Sequence, residues 1–272
     1  MNLSRPARIA LRTAAGLGFA VIYLPLLLVL LGSLNPDRSA SWPPPGLTLK
    51  WWSAAWNNEG AREALWTSVR AGLAATAVAL VLGTLIAFAV HRHTFFGREA
   101  VSFAVVLPIA LPGIVTGIAL NSAFGTVLEP LGVGLGLFTV IVGHATFCIV
   151  VVFNNVVARL RRMPGSYEEA AMDLGAHTFR TFWDITFPRL RSALLAGALL
   201  AFALSFDEVV VTTFTAGPGV QTLPLWIFDN MTRPQQAPVV SVVAAVLVLL
   251  SVIPIYAAQR LSSDTAGGGG RV

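Results

Sequence analysis

"YEEAAMDLGAHTFRTFWDITFPRL", Tyr167 to Leu190, is a charged stretch, punctuated by Gly and Pro, between two long apolar runs. Ser166, followed three residues later by Glu169, has the spacing of a capping box, which pairs orphan N–H groups at a helix start. A short helix is expected from about Tyr167 to Leu174, ended by Gly175 in a left-handed cap. A second is expected from about Thr178 to Ile185, stopping before Pro188, because the residue ahead of a proline is pushed out of the helical region. The product is a helix–turn–helix that exposes charge (Glu168, Asp173, Arg180) beside Met172, Phe179, Phe182 and Trp183. Such a surface suits an amphipathic segment resting on lipid headgroups. It suits equally a knob that docks a soluble partner.

The flanking chain is that of a membrane protein. Of 272 residues, 56% are hydrophobic and 11% charged, against roughly 25% charged in soluble domains. A helix crossing hydrocarbon takes ~20 apolar residues, with every backbone polar group paired inside the segment. Six spans fit, at about 14–34, 68–90, 100–124, 135–158, 192–216 and 238–259. The fifth is interrupted by Asp207-Glu208 and ended by "GPG" at 217–219. The fold class is therefore an all-α polytopic membrane protein. One transmembrane domain is expected over 1–260, with segment 160–190 on one side and a tail, 261–272, expected to be disordered.

Lys and Arg set the orientation. With the N-terminus in the cytoplasm, the inside holds Arg5, Arg8, Arg12, Arg92, Arg98, Arg260, Arg271 and the six arginines from Arg159 to Arg191, thirteen in all. The outside holds five bases: Arg38, Lys50, Arg62, Arg70 and Arg233. Both termini and segment 160–190 are thus expected to be cytoplasmic. The net charge of +5 lies at span ends, so nucleic acid is not an expected partner. The first apolar run is longer than a signal-peptide core, and an uncleaved first helix is expected. The loop after it holds five of the seven tryptophans, residues that favour the membrane–water interface, so it is expected to lie along the outer surface.

Chemistry of its own is not expected. A phosphate-cradling loop requires Gly-Lys-Ser/Thr, and the only lysine, Lys50, follows Leu49. The lone Cys148 excludes an internal disulfide. The pair His91 and His93 falls short of a metal-ligand set, and no nucleophile–base constellation is visible. The chain is read as non-catalytic, with no metal and no cofactor bound by it.

Glu169-Ala170-Ala171, then Gly175, Ile185 and Pro188, resemble the EAA loop of ABC-importer permeases, with Phe187 where the family has Leu. "GLTLKWW" (46–52), "LPIALPGIVTG" (107–117) and "LSFDEVVVTTFTAGPGVQTLPLWIF" (204–228) are similar to the spermidine/putrescine subgroup. The resemblance implies a type I importer fold in a bacterial inner membrane. It implies a coupling helix in which Glu169, Ala170, Ala171 and Gly175 enter a cleft on a cytoplasmic ATPase, with Ile185 and Pro188 seating it. It further implies a second permease that is a different homologue, two copies of that ATPase carrying ATP and Mg, an extracytoplasmic solute-binding protein, and a polyamine or similar cationic solute.

Charge inside a span is costly and marks function. Stepping by three and four from Glu208 gives Gly197, Ala201, Ser205 and Thr212, a small, polar stripe. Glu208 is therefore expected to face a substrate pathway as a cation-attracting gate, and Asp207 to bond a neighbouring helix. A structural hydrogen bond from Glu208 is the competing reading. A secondary transporter using Asp207 or Glu208 as its ion-coupling site is the alternative function. Pro108 and Pro112 are expected to bend span three. Asn121, His144, Asn154 and Asn155 are expected to bond across helices.

Overall fold

The computed structural model describes residues 4–38 and 43–250, and among them there is no strand. In chain order the helices are α1 (Arg5–Gly32), α2 (Lys50–Trp56), α3 (Glu59–Arg92), α4 (Arg98–Ala110), α5 (Gly113–Val127), α6 (Leu137–Leu160), α7 (Ser166–Asp173), α8 (Thr178–Thr181), α9 (Phe187–Phe206), α10 (Val210–Thr215), α11 (Leu223–Asn230) and α12 (Ala237–Leu250). Five helical stretches are long and apolar enough to cross a membrane: Arg5–Gly32, Glu59–Arg92, Gly113–Leu131, Leu137–Leu160 and Thr178–Phe206. The sixth expected span is represented by α12, and residues 251–259 lie outside the described residues, as does the tail 261–272. Two compact units are present, Met1–Arg62 with Ile227–Val272, and Glu63–Trp226.

In the first unit, α1 opens with Pro6, where a missing N–H costs nothing. Its large apolar side chains, from Ile9 to Leu28, are exposed, as suits a helix bathed in lipid. The tryptophan loop departs from the interfacial expectation at Trp51, which is buried and donates its indole N–H to Asn35 O at 3.0 Å. Arg38 and Lys50 flank its ring at 5.6 and 5.2 Å. A buried indole needs a partner for its N–H, and the turn after α1 supplies one. Trp56, by contrast, is exposed.

The second unit is organised around α6. Along α3, Ala71, Ala75, Ala79, Gly83 and Ala87 recur every fourth residue, and the four alanines are buried. Small residues at this spacing let helix backbones approach closely. At Gly83 a Cβ would stand 2.9 Å from Ile149 O, so α3 and α6 meet there backbone to backbone. On its other flank α6 packs against α9, where Gly197 faces Val152 and Cys148 Sγ reaches Ala201 O at 3.3 Å.

Two spans expected to be continuous are broken. Span three ends as a helix at Ala110 and restarts at Gly113, with Leu111 extended (φ −82°, ψ 145°). Pro112 drives its predecessor out of the helical region and offers no N–H to continue the ladder. The bend is therefore a break. Span five stops at Phe206 and restarts at Val210, leaving Asp207, Glu208 and Val209 between α9 and α10. This span also begins earlier than 192, because α9 starts at Phe187.

Candidate functional site

The 166–190 segment is anchored by side chains that its sequence had placed on the outside. Helix α7 starts at Ser166 with Gly165 at the cap position, and no side chain caps it. The expected Ser166–Glu169 box is not formed, because Ser166 is already inside the first turn. Glu168, expected on the exposed surface, instead turns inward. Its Oε1 accepts from Arg92 Nη2 at 3.0 Å and from Thr186 Oγ1 at 2.9 Å, tying α7 to the end of α3 and to the turn before α9. Tyr167 adds a second tie, its ring lying 4.5 Å from the Arg189 guanidinium.

The far end of α7 follows the expectation. Gly175 has φ +86° with open space where a Cβ would be. Ala176 N–H bonds Ala171 O (3.0 Å) and Gly175 N–H bonds Met172 O (2.9 Å), the paired bonds of a Schellman cap. Glu169 and Ala170 are exposed, Ala171 is half-buried, and Leu174 is 90% exposed. An apolar tip in open space is poised for contact.

The second short helix differs from its expectation. After α8 the chain does not stop before Pro188. It runs through a π-helical turn, Phe182–Thr186, straight into α9, where Pro188 occupies the first turn. Proline cannot donate and its ring crowds the carbonyl four residues back, and a widened turn relieves both. Phe187 N–H reaches back to Phe182 O, and Arg189 Nη1 bonds Ile185 O at 2.9 Å. The widened turn also swings Phe182 inward, half-buried, edge-on to Phe88 of α3 at 5.8 Å. Phe182 is thus not a surface group, whereas Phe179 and Trp183 are.

At the second place of interest, the break in span five, the two carboxylates differ in setting. Glu208 is half-buried and its Oε1 accepts Val211 N–H at 2.8 Å, capping α10. Asp207 is exposed, and among the described residues its carboxylate bonds no neighbouring helix. The stripe Gly197, Ala201, Ser205 and Thr212 is buried, against α6. Three-and-four stepping from Glu208 fails because the helix is broken at that residue.

Six residues long, α10 is too short to satisfy its own ends, and neighbours do so. Asn121 Nδ2 donates to Phe214 O at 2.6 Å. Thr139 Oγ1 lies 2.7 Å from Thr215 O and accepts Gly136 N–H at 2.8 Å. His144 sits between Ser205 Oγ (2.7 Å) and Thr212 Oγ1 (2.9 Å). Asn121 and His144 thus bond across helices as expected, whereas Asn155 Nδ2 bonds Val151 O within its own helix.

Residues 79–265 match the family model described as binding-protein-dependent transport system inner membrane component. The chain belongs to this family.

Two groups of relatives in the transport family have polyamine names. The spermidine/putrescine transport system permease protein PotC of Shigella flexneri is 34% identical over 93% of this chain and 94% of its own. The putrescine transport system permease protein PotI of Escherichia coli is 33% identical over 79% of this chain and 77% of its own. The putative 2-aminoethylphosphonate transport system permease protein PhnV of Salmonella typhimurium is 29% identical, over 82% and 84%. A crystal structure of a bacterial ABC transporter that imports alginate superposes with a TM-score of 0.65 at 18% identity, covering 97% of this chain and 99% of that one. The all-helical importer-permease fold is therefore shared, and the chain is a multi-pass inner-membrane component of a transport system.

Within this family fold, the cluster of Arg92, Glu168 and Thr186 was not legible in the sequence. The only available signal was weak: a glutamate on a short helix and an arginine at a span end, 76 residues apart.

Proposed function

We propose that this chain is one of two permease subunits of an ATP-driven importer of polyamines or similar cationic small solutes. The observation that carries the reading is the 34% identity to a spermidine/putrescine permease across nearly the whole chain. The chain itself is non-catalytic. ATP and Mg bind two copies of a cytoplasmic ATPase, and an extracytoplasmic binding protein delivers the solute. Both termini are cytoplasmic.

In this scheme the tip of α7, with Glu169, Ala170, Ala171 and Gly175, enters a groove on the ATPase, while Ile185 and Pro188 join the tip to α9. The anchoring of α7 to α3 and α9 supports this, since a lever must be fixed at one end to transmit motion from the other. ATPase closure draws the two coupling helices together and opens the pathway outward; hydrolysis resets it. Exposed Asp207 and half-buried Glu208 supply negative charge at a helix break within an apolar span, where a polycation gains most from it.

Co-purification tests the coupling. An ATPase subunit is expected to co-purify with the wild-type chain and to be lost from Glu169→Arg and Gly175→Pro. Full ATP-dependent uptake after both changes would end this reading. For the pathway, Glu208→Gln keeps an acceptor for Val211 N–H and removes only the charge. Uptake of radiolabelled spermidine is expected to fall about tenfold, the scale of one desolvated charge contact near 1.4 kcal/mol. Wild-type uptake at normal expression would remove Glu208 from the pathway.

A further inference from the structure

His144 lies about a third of the way along α6 with its ring fully buried. Its two nitrogens reach two different helices: Nδ1 meets Ser205 in the last turn of α9, and Nε2 meets Thr212 in α10. Between these anchors the chain leaves one helix and starts the next, and the gap holds Asp207 and Glu208. The approach of α6 to α10 is close on the same side. A Cβ on Gly143 would stand 3.2 Å from Val211 Cγ1 and 3.3 Å from Thr215 Cγ2.

Hydrogen accounting assigns the tautomer. Thr212 has one hydroxyl hydrogen, and it goes to Glu208 O at 2.8 Å. Toward His144 the same oxygen therefore only accepts, so Nε2 carries a hydrogen. The ring has no carboxylate partner among the described residues, and an uncompensated buried charge is strongly disfavoured. The imidazole is thus neutral, Nδ1 is bare, and Ser205 donates its hydroxyl to it. One ring uses both of its nitrogens, one as donor and one as acceptor, on opposite sides of the break.

We propose that His144 is a positioning residue: a neutral, Nε2-protonated splint that sets the geometry of the helix break and so aims the Asp207–Glu208 pair. Its consequence for transport rests on the polyamine-pathway reading above. The splint itself rests on the geometry alone. An apolar residue of similar size fills the same space yet leaves Ser205 without its acceptor and Thr212 without its donor. The two helix ends then lose their common reference.

The test reads the ring and the transport separately. In the full complex in nanodiscs, labelled with ¹⁵N-histidine, one ring that disappears in His144→Gln is expected to show a protonated Nε2 and a bare Nδ1. Thr212→Val and Ser205→Ala are each expected to shift that signature. In spermidine uptake, Ser205→Ala, Thr212→Val and His144→Leu are each expected to raise KM about five- to tenfold, the scale of one lost hydrogen bond. His144→Gln, which keeps a donor and an acceptor, is expected to recover most of that loss. A ring protonated on Nδ1 or on both nitrogens overturns the proposal, as does unchanged KM in both hydroxyl variants. Should the wild-type complex carry no polyamine, the functional reading fails alone, and the ring's response to Thr212→Val still decides the splint. Ser205→Ala and Thr212→Val keep the test decisive if His144→Leu does not fold.

Discussion

Gly217→Ala is expected to prevent accumulation of folded protein. A Cβ at this position falls on the Leu135 carbonyl oxygen and stands 2.9 Å from Gly136 N. Both obstacles are backbone, so no rotamer change relieves them. Nor is the opposing backbone free to retreat. Gly136 N–H bonds Thr139 Oγ1, whose hydroxyl also lies 2.7 Å from Thr215 O at the end of α10. Overpacking a core costs about 1–3 kcal/mol when side chains absorb the strain; here the cost is at or above the top of that range. Gly219 is the matched control. It has φ +78° and open space around the Cβ position, so Gly219→Ala pays only left-handed strain of about 1–2 kcal/mol. Detergent-extracted protein followed by size-exclusion and thermal melting separates the two. A melting midpoint for Gly217→Ala equal to that of Gly219→Ala would refute the close approach.

Reversing either member of the Arg92–Glu168 pair is expected to uncouple the transporter without unfolding it. The two side chains are each 20% exposed, between the exposed pairs worth about 0–1 kcal/mol and the buried ones whose disruption costs about 3–5 kcal/mol. An intermediate loss of about 1–2 kcal/mol shifts the docked fraction of α7 roughly tenfold. The core contacts of α6 with α3 and α9 lie elsewhere, so expression should hold. Glu168→Arg and Arg92→Glu are each expected to lower ATP-driven uptake about tenfold or more. The double exchange, which restores the pair with its sign reversed, is expected to return to within about threefold of wild type. Recovery short of that comes from Thr186, which loses its carboxylate acceptor. A double variant no better than either single one would show that the pair does not hold the lever.

Much of the fold was legible because hydrocarbon imposes so simple a rule. A segment of sufficient length without charge must pair its own backbone, and only a helix does that. Pro112 marked the place where span three fails, although a break rather than a bend results, since its predecessor is forced extended. Gly175 was legible for a similarly local reason: a left-handed residue four places past Ala171 closes the short helix whatever surrounds it. What belongs to neighbours in the chain was decided by the chain.

The tertiary structure decided which polar groups face inward. Glu168 and Glu169 are adjacent, similar in propensity and indistinguishable locally, yet Glu168 is bonded by Arg92 and Thr186 while Glu169 is exposed. Their difference comes from where the end of α3 happens to lie. The break at Asp207–Val209 likewise has no proline or glycine to announce it. It persists because Glu208 caps α10, because Asn121 and Thr139, from two other helices, bond the carbonyls that a six-residue helix leaves unpaired, and because His144 holds the Thr212 hydroxyl. Periodicity records only the register of a residue on its own helix. The partner that makes a buried polar group affordable is supplied by another helix, and only packing brings the two together.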